Sequence, residues 1–349
     1  MPGPRKHGCA GSKRLVILSS SDKDRRRIST YNPTRTNPLR FLFCGTPQFA
    51  VPTLKHLLAQ PDFEVAAVIT QPDRPRGRGQ EVSFSPIKQT AQAAGIPVFQ
   101  PERIRTPESE QFLREAKPDA IVIIAYGQII PARLLNIPKL GWINSHASLL
   151  PKYRGAAPIQ WAIANGESKT GVTTMRIDAG MDTGEVLLQR ETPIASSETT
   201  PELAIRLAEI SAPLMAETLR GLRDGTLQPN PQSSSESSLA PLLKKEDGHI
   251  NWSLPVQTIF NHMRAFTPWP GAYAKFRGSI CQLHGQPVSK DRASNVAPGE
   301  IRFERSELVV GCGAETLLGI ARVKVQGRND VSALEFANGA RLQLGEHFA

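Results

Sequence analysis

Between Leu39 and Arg223, short apolar runs alternate with segments whose apolar residues recur every three or four positions. No other feature constrains the fold as much. Strands and helices that alternate with short links bury their apolar faces as a parallel sheet covered by helices. LRFLFCGT, from Leu39, reads as a buried strand turning at Gly45, and Pro47 suits the first turn of a helix carrying Phe49, Leu54, Leu57 and Leu58. Phe63 to Thr70 is a second strand, followed by QPDRPRGRGQ as a long Pro/Gly/Arg-rich loop. SPIKQTAQAAG is a helix closed by Gly95, IPVFQP a short strand, and Pro107 to Ala116 a further helix. Asp119 to Ala125 is the most apolar strand, Trp142 to His146 the next, and Pro158 opens another helix. Thr170 to Ile177 and Gly184 to Arg190 form a pair of strands before a long amphipathic helix, Thr199 to Arg223. The first strand-to-helix turn reads G-T-P rather than G-x-G-x-x-G, so nothing here points to a dinucleotide.

The pattern stops at DGTLQPNPQSSSESS, whose Pro, Ser and Asn content marks a linker over residues 224–240. Beyond it, one helical stretch, Leu254 to Ala265, precedes the short alternating runs AYAKF, SICQLHG, GEIRF, ELVVGC, GIARVKVQG and RLQLG. Regular turns between such runs are the mark of a small β-barrel, here of the OB type. A chain of 349 residues exceeds one ordinary core. The expected organisation is therefore a basic extension (1–38), a Rossmann-like α/β domain with a mostly parallel sheet (39–223), a linker (224–240) and an OB-like barrel (241–349).

Charge is distributed unevenly. Residues 1–40 carry ten Lys/Arg and two Asp, which accounts for +8 of the net +10. The high charge therefore belongs to the extension and is weak evidence that the folded body binds nucleic acid in general. The extension is poor in apolar periodicity, so disorder is expected. It can be read as an extension ordered only in part, as the product of an upstream start codon, or as an arginine- and serine-rich transit peptide. Cys9, Cys44, Cys281 and Cys312 are far apart and lack C-x-x-C spacing. That favours neither a disulfide framework nor zinc, and fits a reducing compartment. The longest nearly apolar run, Ala120 to Ile130, is about half the roughly 20 residues that span a bilayer.

The densest polar cluster lies between Asn144 and Asp182. Residues two apart on a strand share a face, so Asn144 and His146 would project together at the carboxyl edge of the sheet, where open α/β sheets place ligands. Asp182 falls in a Gly-punctuated loop, DAGMDTGE, able to fold back over that edge. An amide that can donate to an oxyanion, an imidazole that can carry a proton and a carboxylate beside it suit attack by an amine on an acyl carbon without a metal. The same residues equally suit packing, capping and a turn. Read alone they lead to an α/β enzyme with a polar cluster at the sheet edge and no further.

WINSHASLLPKYRGAAPIQWAI resembles the signature of the folate-dependent formyltransferases, in which an N-x-H strand end precedes an S-L-L-P loop and an R-G-x-x-P turn, with a later D-x-G. The elements here are Asn144 and His146, Ser148 to Pro151, Arg154 with Gly155 and Pro158, and Asp182 with Gly184. The resemblance implies that Asn144 and His146 stabilise a tetrahedral oxyanion and that Asp182 holds His146 and relays a proton. It also implies 10-formyltetrahydrofolate as donor, no metal, and a folate site formed by Ser148, Leu149, Leu150, Pro151 and the turn Gln128, Ile129, Ile130.

FCGTPQFAVPTLKHL, TQPDRPRGRG, APLLKKEDGHINW and MRAFTPWPGAY resemble the branch of that family acting on charged tRNA. The amine would then be that of methionyl-initiator-tRNA and the product would serve translation initiation. Arg74, Arg76, Arg78, Lys88, Lys244 and Lys245 are the implied tRNA contacts, with Arg78 wedged at the stem end. Arg264, Lys275 and Arg277 are further candidates for phosphate contact. A sugar-nucleotide acceptor is the alternative, because such formyltransferases carry a related appended domain. A monomer is expected, in a bacterial cytoplasm, with an organelle as the alternative because of the extension.

Overall fold

The computed structural model describes residues 37–76, 81–289, 295–304 and 307–349. The first half builds β1 (Leu39–Gly45), α1 (Val51–Leu58), β2 (Phe63–Ile69), β3 (Arg74–Arg76), β4 (Glu81–Ser83) and α2 (Pro86–Ala93). β5 (Val98–Phe99), α3 (Pro107–Ala116), β6 (Ala120–Ile124), α4 (Ala132–Leu135), β7 (Trp142–His146) and α5 (Pro158–Ala164) follow. β8 (Lys169–Arg176), β9 (Val186–Pro193) and α6 (Thr200–Arg223) complete it. One seven-stranded sheet runs in the order β5, β2, β1, β6, β7, β8, β9. β5 to β7 are parallel neighbours, whereas β8 and β9 run antiparallel.

Helix starts follow the local chemistry of the chain. α2, α3 and α6 have Pro in the first turn behind Ser85, Thr106 and Thr199, whose side chains satisfy backbone N–H groups that have no partner within the helix. Pro47 precedes a single 3-10 turn, Gln48–Ala50, before α1 begins. The two faces of the sheet carry separate cores. Phe41, Phe43, Val122 and Ile143 pack with Leu54 and Leu57 of α1 and Met215 and Leu219 of α6. Leu42, Cys44, Ile121, Ile123 and Trp142 pack on the other face with Leu113 of α3 and Leu134 of α4. A fully buried leucine such as Leu219 contributes on the order of 1.5–3 kcal/mol.

α6 is tied back to the start of β2. Asp62 accepts from Arg220 Nε at 2.9 Å and Nη2 at 2.7 Å, and from Arg223 Nη1 at 3.0 Å. The hydrogen bonds from Arg220 hold the Asp62 pKa down to about 2; partial burial opposes this and Arg223 adds to it. An unfolded Asp titrates near 3.9. The folded group stays ionised below that value, so its stabilising effect is complete above about pH 4 and fades as pH falls towards 2. Asp62→Asn is therefore expected to lower Tm at neutral pH and to flatten its fall between about pH 4 and 2. Melts across that range read the difference.

The second half contains α7 (Val256–Ala265), β10 (Tyr273–Phe276), β11 (Ser279–Pro287), β12 (Ile301–Glu304), β13 (Glu307–Cys312), β14 (Thr316–Val325), β15 (Asp330–Ser332) and α8 (Ala333–Ala340). The sheet is antiparallel in the order β10, β11, β14, β13, β12, with β15 added to β14. It curls as a half-barrel around Trp252, Phe276, Leu283, Leu308, Val310, Val323, Phe336 and Phe348. Residues Asn37–Ala349 form one compact unit. A third apolar cluster joins Ile159 and Ile163 of α5 and Leu203 and Leu207 of α6 to Ala240, Leu243, Ala265 and Phe266.

Two expectations are corrected, and one helix is new. QPDRPRGRGQ, residues 71–80, is not all loop, because its Arg74–Arg76 form β3, which pairs antiparallel with β4, placing Arg74 opposite Ser83 and Arg76 opposite Glu81. RLQLG is no strand: Arg341 is the left-handed cap of α8 and the run leaves the sheet. α8 itself went unread, although Ser332 and Glu335 form a capping box that the spacing S-x-x-E announces.

Candidate active site

β1, β6 and β7 end at one cleft, a cavity of about 520 Å³ reached by Phe49, Ala125, Gly127, Asn144, His146 and Asp182. Asn144 and His146 lie on the same face of β7, opposite Met175 and Thr173 of β8. Ser145, between them, points the other way and hydrogen-bonds Ser211 of α6 at 2.7 Å. The period of two thus sends one polar pair to the cleft and one hydroxyl into the core.

His146 is buried. Its Nε2 donates to the carbonyl of Tyr153 at 2.8 Å, and a carbonyl can only accept, so that nitrogen carries the proton. Nδ1 then faces Asp182 Oδ2 at 3.6 Å, a distance suited to an ion pair rather than a direct hydrogen bond. Asp182 Oδ2 also accepts from the Gly155 N–H at 2.9 Å. Asp182 and Tyr153 both have positive φ, 53° and 62°, so each must be held by its surroundings. The Tyr153 hydroxyl donates to Glu167 at 2.8 Å, and burial pushes its pKa up to about 12.

Two glycines are required by space. At Gly155 (φ 120°) a Cβ would meet the Ala240 carbonyl oxygen at 2.7 Å, and at Gly184 it would meet that of Arg176 at 1.9 Å.

The structure brings Asn144, His146 and Asp182 together and distributes the other candidates more widely. Ser148 and Leu150 are buried in loop scaffolding. Ser148 Oγ donates to the Lys152 carbonyl, and the Leu150 N–H donates to Thr173 Oγ1. Leu149 and Pro151 line a separate cleft of about 460 Å³ with Tyr153 and Glu236. Gln128 accepts from the Ile104 N–H at 2.7 Å, Ile129 is 92% exposed and Ile130 is buried. Just before that turn, Ala125 and Gly127 reach the cavity of Asn144, His146 and Asp182.

Among the basic candidates, Arg74 is exposed and pairs loosely with Glu102 at 3.6 Å, and Lys244 and Lys245 are exposed. Lys88 is engaged by Asp73 and lies over the Phe84 ring. Arg76 lies on β3, and Arg78 lies outside the described residues. Arg264 is buried and donates to Asn261 and to the carbonyls of Ala195 and Glu198, and Arg277 is paired with Glu346. Arg264 is thus removed from the phosphate-contact set, because it is buried and each of its guanidinium nitrogens donates to a protein acceptor.

Sequence reasoning passed over Gln232. Its amide oxygen accepts from Arg154 Nε at 3.0 Å and Nη2 at 2.8 Å, while its Nε2 donates to the carbonyls of Asp182 at 2.9 Å and Gly184 at 2.7 Å. It lies in the segment read as linker, where no periodicity signals a fixed side chain.

Residues 39–219 match the formyl transferase family and residues 242–341 its C-terminal domain. Methionyl-tRNA formyltransferase of Solibacter usitatus is 51% identical over 88% of this chain and 98% of its own length. That of Koribacter versatilis is 50% identical over 86% of this chain and 95% of its own. The chain belongs to the methionyl-tRNA formyltransferase family. The crystal structure of WlaRD, a sugar 3N-formyl transferase with dTDP and 5-N-formyl-THF, matches with a TM-score of 0.59 at 20% identity. It covers 83% of this chain and 99% of that one, a likeness of fold alone. The formyltransferase signature noted around Asn144 to Ile163 and the tRNA-acting branch both agree with these matches.

Proposed function

We propose that the chain transfers the formyl group of 10-formyltetrahydrofolate to the α-amine of methionyl-initiator-tRNA, releasing formylmethionyl-tRNA and tetrahydrofolate. The observation that carries this is the convergence of Asn144, His146 and Asp182 on one cavity, in a chain matching methionyl-tRNA formyltransferases over nearly their full length.

The acceptor nitrogen attacks the formyl carbon. Asn144 donates to the oxygen that becomes anionic. His146, with Nε2 anchored on Tyr153, takes the proton of the attacking nitrogen at Nδ1, on the side that faces the Asp182 carboxylate. Attack has already made the new C–N bond; collapse restores the C=O and breaks the bond to N10, and the proton held at His146 passes to N10, so no charge is left over. Phe49, Pro158, Ile159 and Ala204 give the cavity an apolar wall that suits the unbranched thioether of a methionyl group. Ala125 and Gly127 offer backbone to the pterin, with Leu149 and Pro151 on the far side of the site loop.

We assign catalysis to residues 39–223 and a tRNA-supporting role to 241–349. The exposure of Arg74, Lys244 and Lys245 supports their assignment to phosphates, and we assign the chain as a monomer in a bacterial cytoplasm. A formyl-transfer assay with charged initiator tRNA tests this. The native chain should turn over, and Asp182→Ala should lower kcat by about 10³ or more. Formylation of a small amine or sugar nucleotide but not of the tRNA would remove the acceptor assignment and leave the triad standing.

A further inference from the structure

The stretch 230–240 is more than a covalent link between two halves. Asn230 exchanges both backbone hydrogen bonds with Val186, each at 2.8 Å. Ser238 accepts the Tyr153 N–H on its hydroxyl at 2.9 Å and the Arg154 N–H on its carbonyl at 2.8 Å. Ala240 takes the N–H of Ala157 and gives its own to the Arg154 carbonyl. The segment therefore lies as a strap over the two loops that carry Tyr153 and Asp182, and Gln232 is the side chain through which it touches both.

A primary amide has two N–H donors and one carbonyl oxygen with two lone pairs. At Gln232 all four are used: both donors on the carbonyls either side of Thr183, both lone pairs on Arg154. Arg154 is buried, so its guanidinium must be paired, and Gln232 pairs it without placing a carboxylate beside Asp182. Asp182 has a left-handed backbone that an aspartate adopts at a cost; one bond from Gln232 holds the Asp182–Thr183 peptide, which sets its ψ, and the other holds the same loop two residues on, at Gly184. With that backbone held, Oδ2 stays between the Gly155 N–H and His146 Nδ1.

We infer that Gln232 is a positioning residue for the formyl-transfer reaction, acting through Asp182, and that the interdomain segment is thereby part of the active-site support. This rests on the role proposed for Asp182. Nothing in the amide itself reaches the reacting atoms.

Gln232→Glu is the informative substitution. It keeps the size and still accepts from Arg154, so the strap stays attached, but it offers no donor to the carbonyls of Asp182 and Gly184. In the full chain, kcat should fall by about 10- to 100-fold, as a displacement of the carboxylate by an ångström or so predicts. The KM values for folate and tRNA should stay within about twofold, because neither substrate contacts the amide. On an Asp182→Ala background the same substitution should lower kcat no further, since its route is already cut. Full kcat in Gln232→Glu, or a loss that multiplies with that of Asp182→Ala, overturns the inference. A second readout is independent of turnover. Amide exchange at Gly155, whose N–H is held by Asp182 Oδ2, should speed up in Gln232→Glu, and unchanged protection would overturn the inference whatever the acceptor proves to be. An inactive native chain would instead count against the proposed reaction and leave the exchange result to decide the role of Gln232.

Discussion

Asn144→Ala should lower kcat for formyl transfer by about 10²–10³, the usual cost of removing one donor to a developing oxyanion. The residue is the last of β7 to pair with β6, on the face that opens into the cavity shared with His146 and Asp182, and it is half-buried rather than packed. Its neighbours along β7 are committed elsewhere: Trp142 donates to the Leu134 carbonyl, Ser145 to or from Ser211, and His146 to Tyr153. Among the described residues no hydrogen bond engages the Asn144 amide, so truncating it strands no buried partner. Stability should therefore move by only about 0.5 kcal/mol or less. Steady-state rates beside thermal melts check both halves, and a variant that keeps most of its kcat would remove Asn144 from the oxyanion role. Asn144→Asp should be at least as slow, because a carboxylate has no donor to offer and repels the charge it would have to stabilise.

Gly184→Ala is expected to damage both fold and reaction. A Cβ at 1.9 Å from the Arg176 carbonyl oxygen cannot be accommodated by turning a side chain, since the atom it meets is backbone. β8 and the start of β9 must part there, where the Arg176 N–H bonds the Glu185 carbonyl at 2.9 Å. Overpacking of this kind costs about 1–3 kcal/mol, and the backbone contact puts this site at the upper end. The loop that moves carries Asp182, and Gly184 is also one of the two carbonyls bound by Gln232. A displacement of about an ångström is enough to lower the rate by roughly 10²-fold. Urea unfolding gives the stability term, and kcat measured on the folded fraction gives the other. Wild-type values in both would mean that the β8–β9 turn tolerates what its spacing forbids.

Wherever a signal is local, sequence and structure agree. β1, β6 and β7 were visible as apolar runs, and the helices starting at Pro86, Pro107, Pro158 and near Pro201 were visible from their first turns. Period two along Trp142 to His146 was sufficient to place Asn144 and His146 on one face. The S-x-x-E start of α8 was equally local and was passed over because RLQLG, just after it, alternates like a strand. The β3–β4 hairpin was hidden because Arg, Pro and Gly are turn residues and its strands have only three residues each.

The site was legible in part. That Asn144 and His146 share a strand end follows from backbone geometry alone. That Asp182 faces His146, rather than closing an ordinary turn, depends on a β8–β9 pairing that returns the chain to the same edge of the sheet. Arg264 reads as a surface cation until packing buries it against Ala195 and Glu198, and Lys88 reads as free until α2 sets it beside Asp73. Of the chain around that turn, Ala125 and Gly127 rather than residues 128–130 line the cleft, because positive φ at both bends the chain into it one residue after β6 ends.

By itself, then, the sequence determined a wound α/β sheet, its helix starts, a second antiparallel domain and one polar pair at the sheet edge, because each depends on neighbours a few residues apart. Only the tertiary structure decided that residues 230–240 are a strap and that Gln232 holds Asp182. Those contacts join residues about 50 to 80 positions apart, and which polar groups meet across such a distance is set by strand register and packing, for which no local periodicity exists.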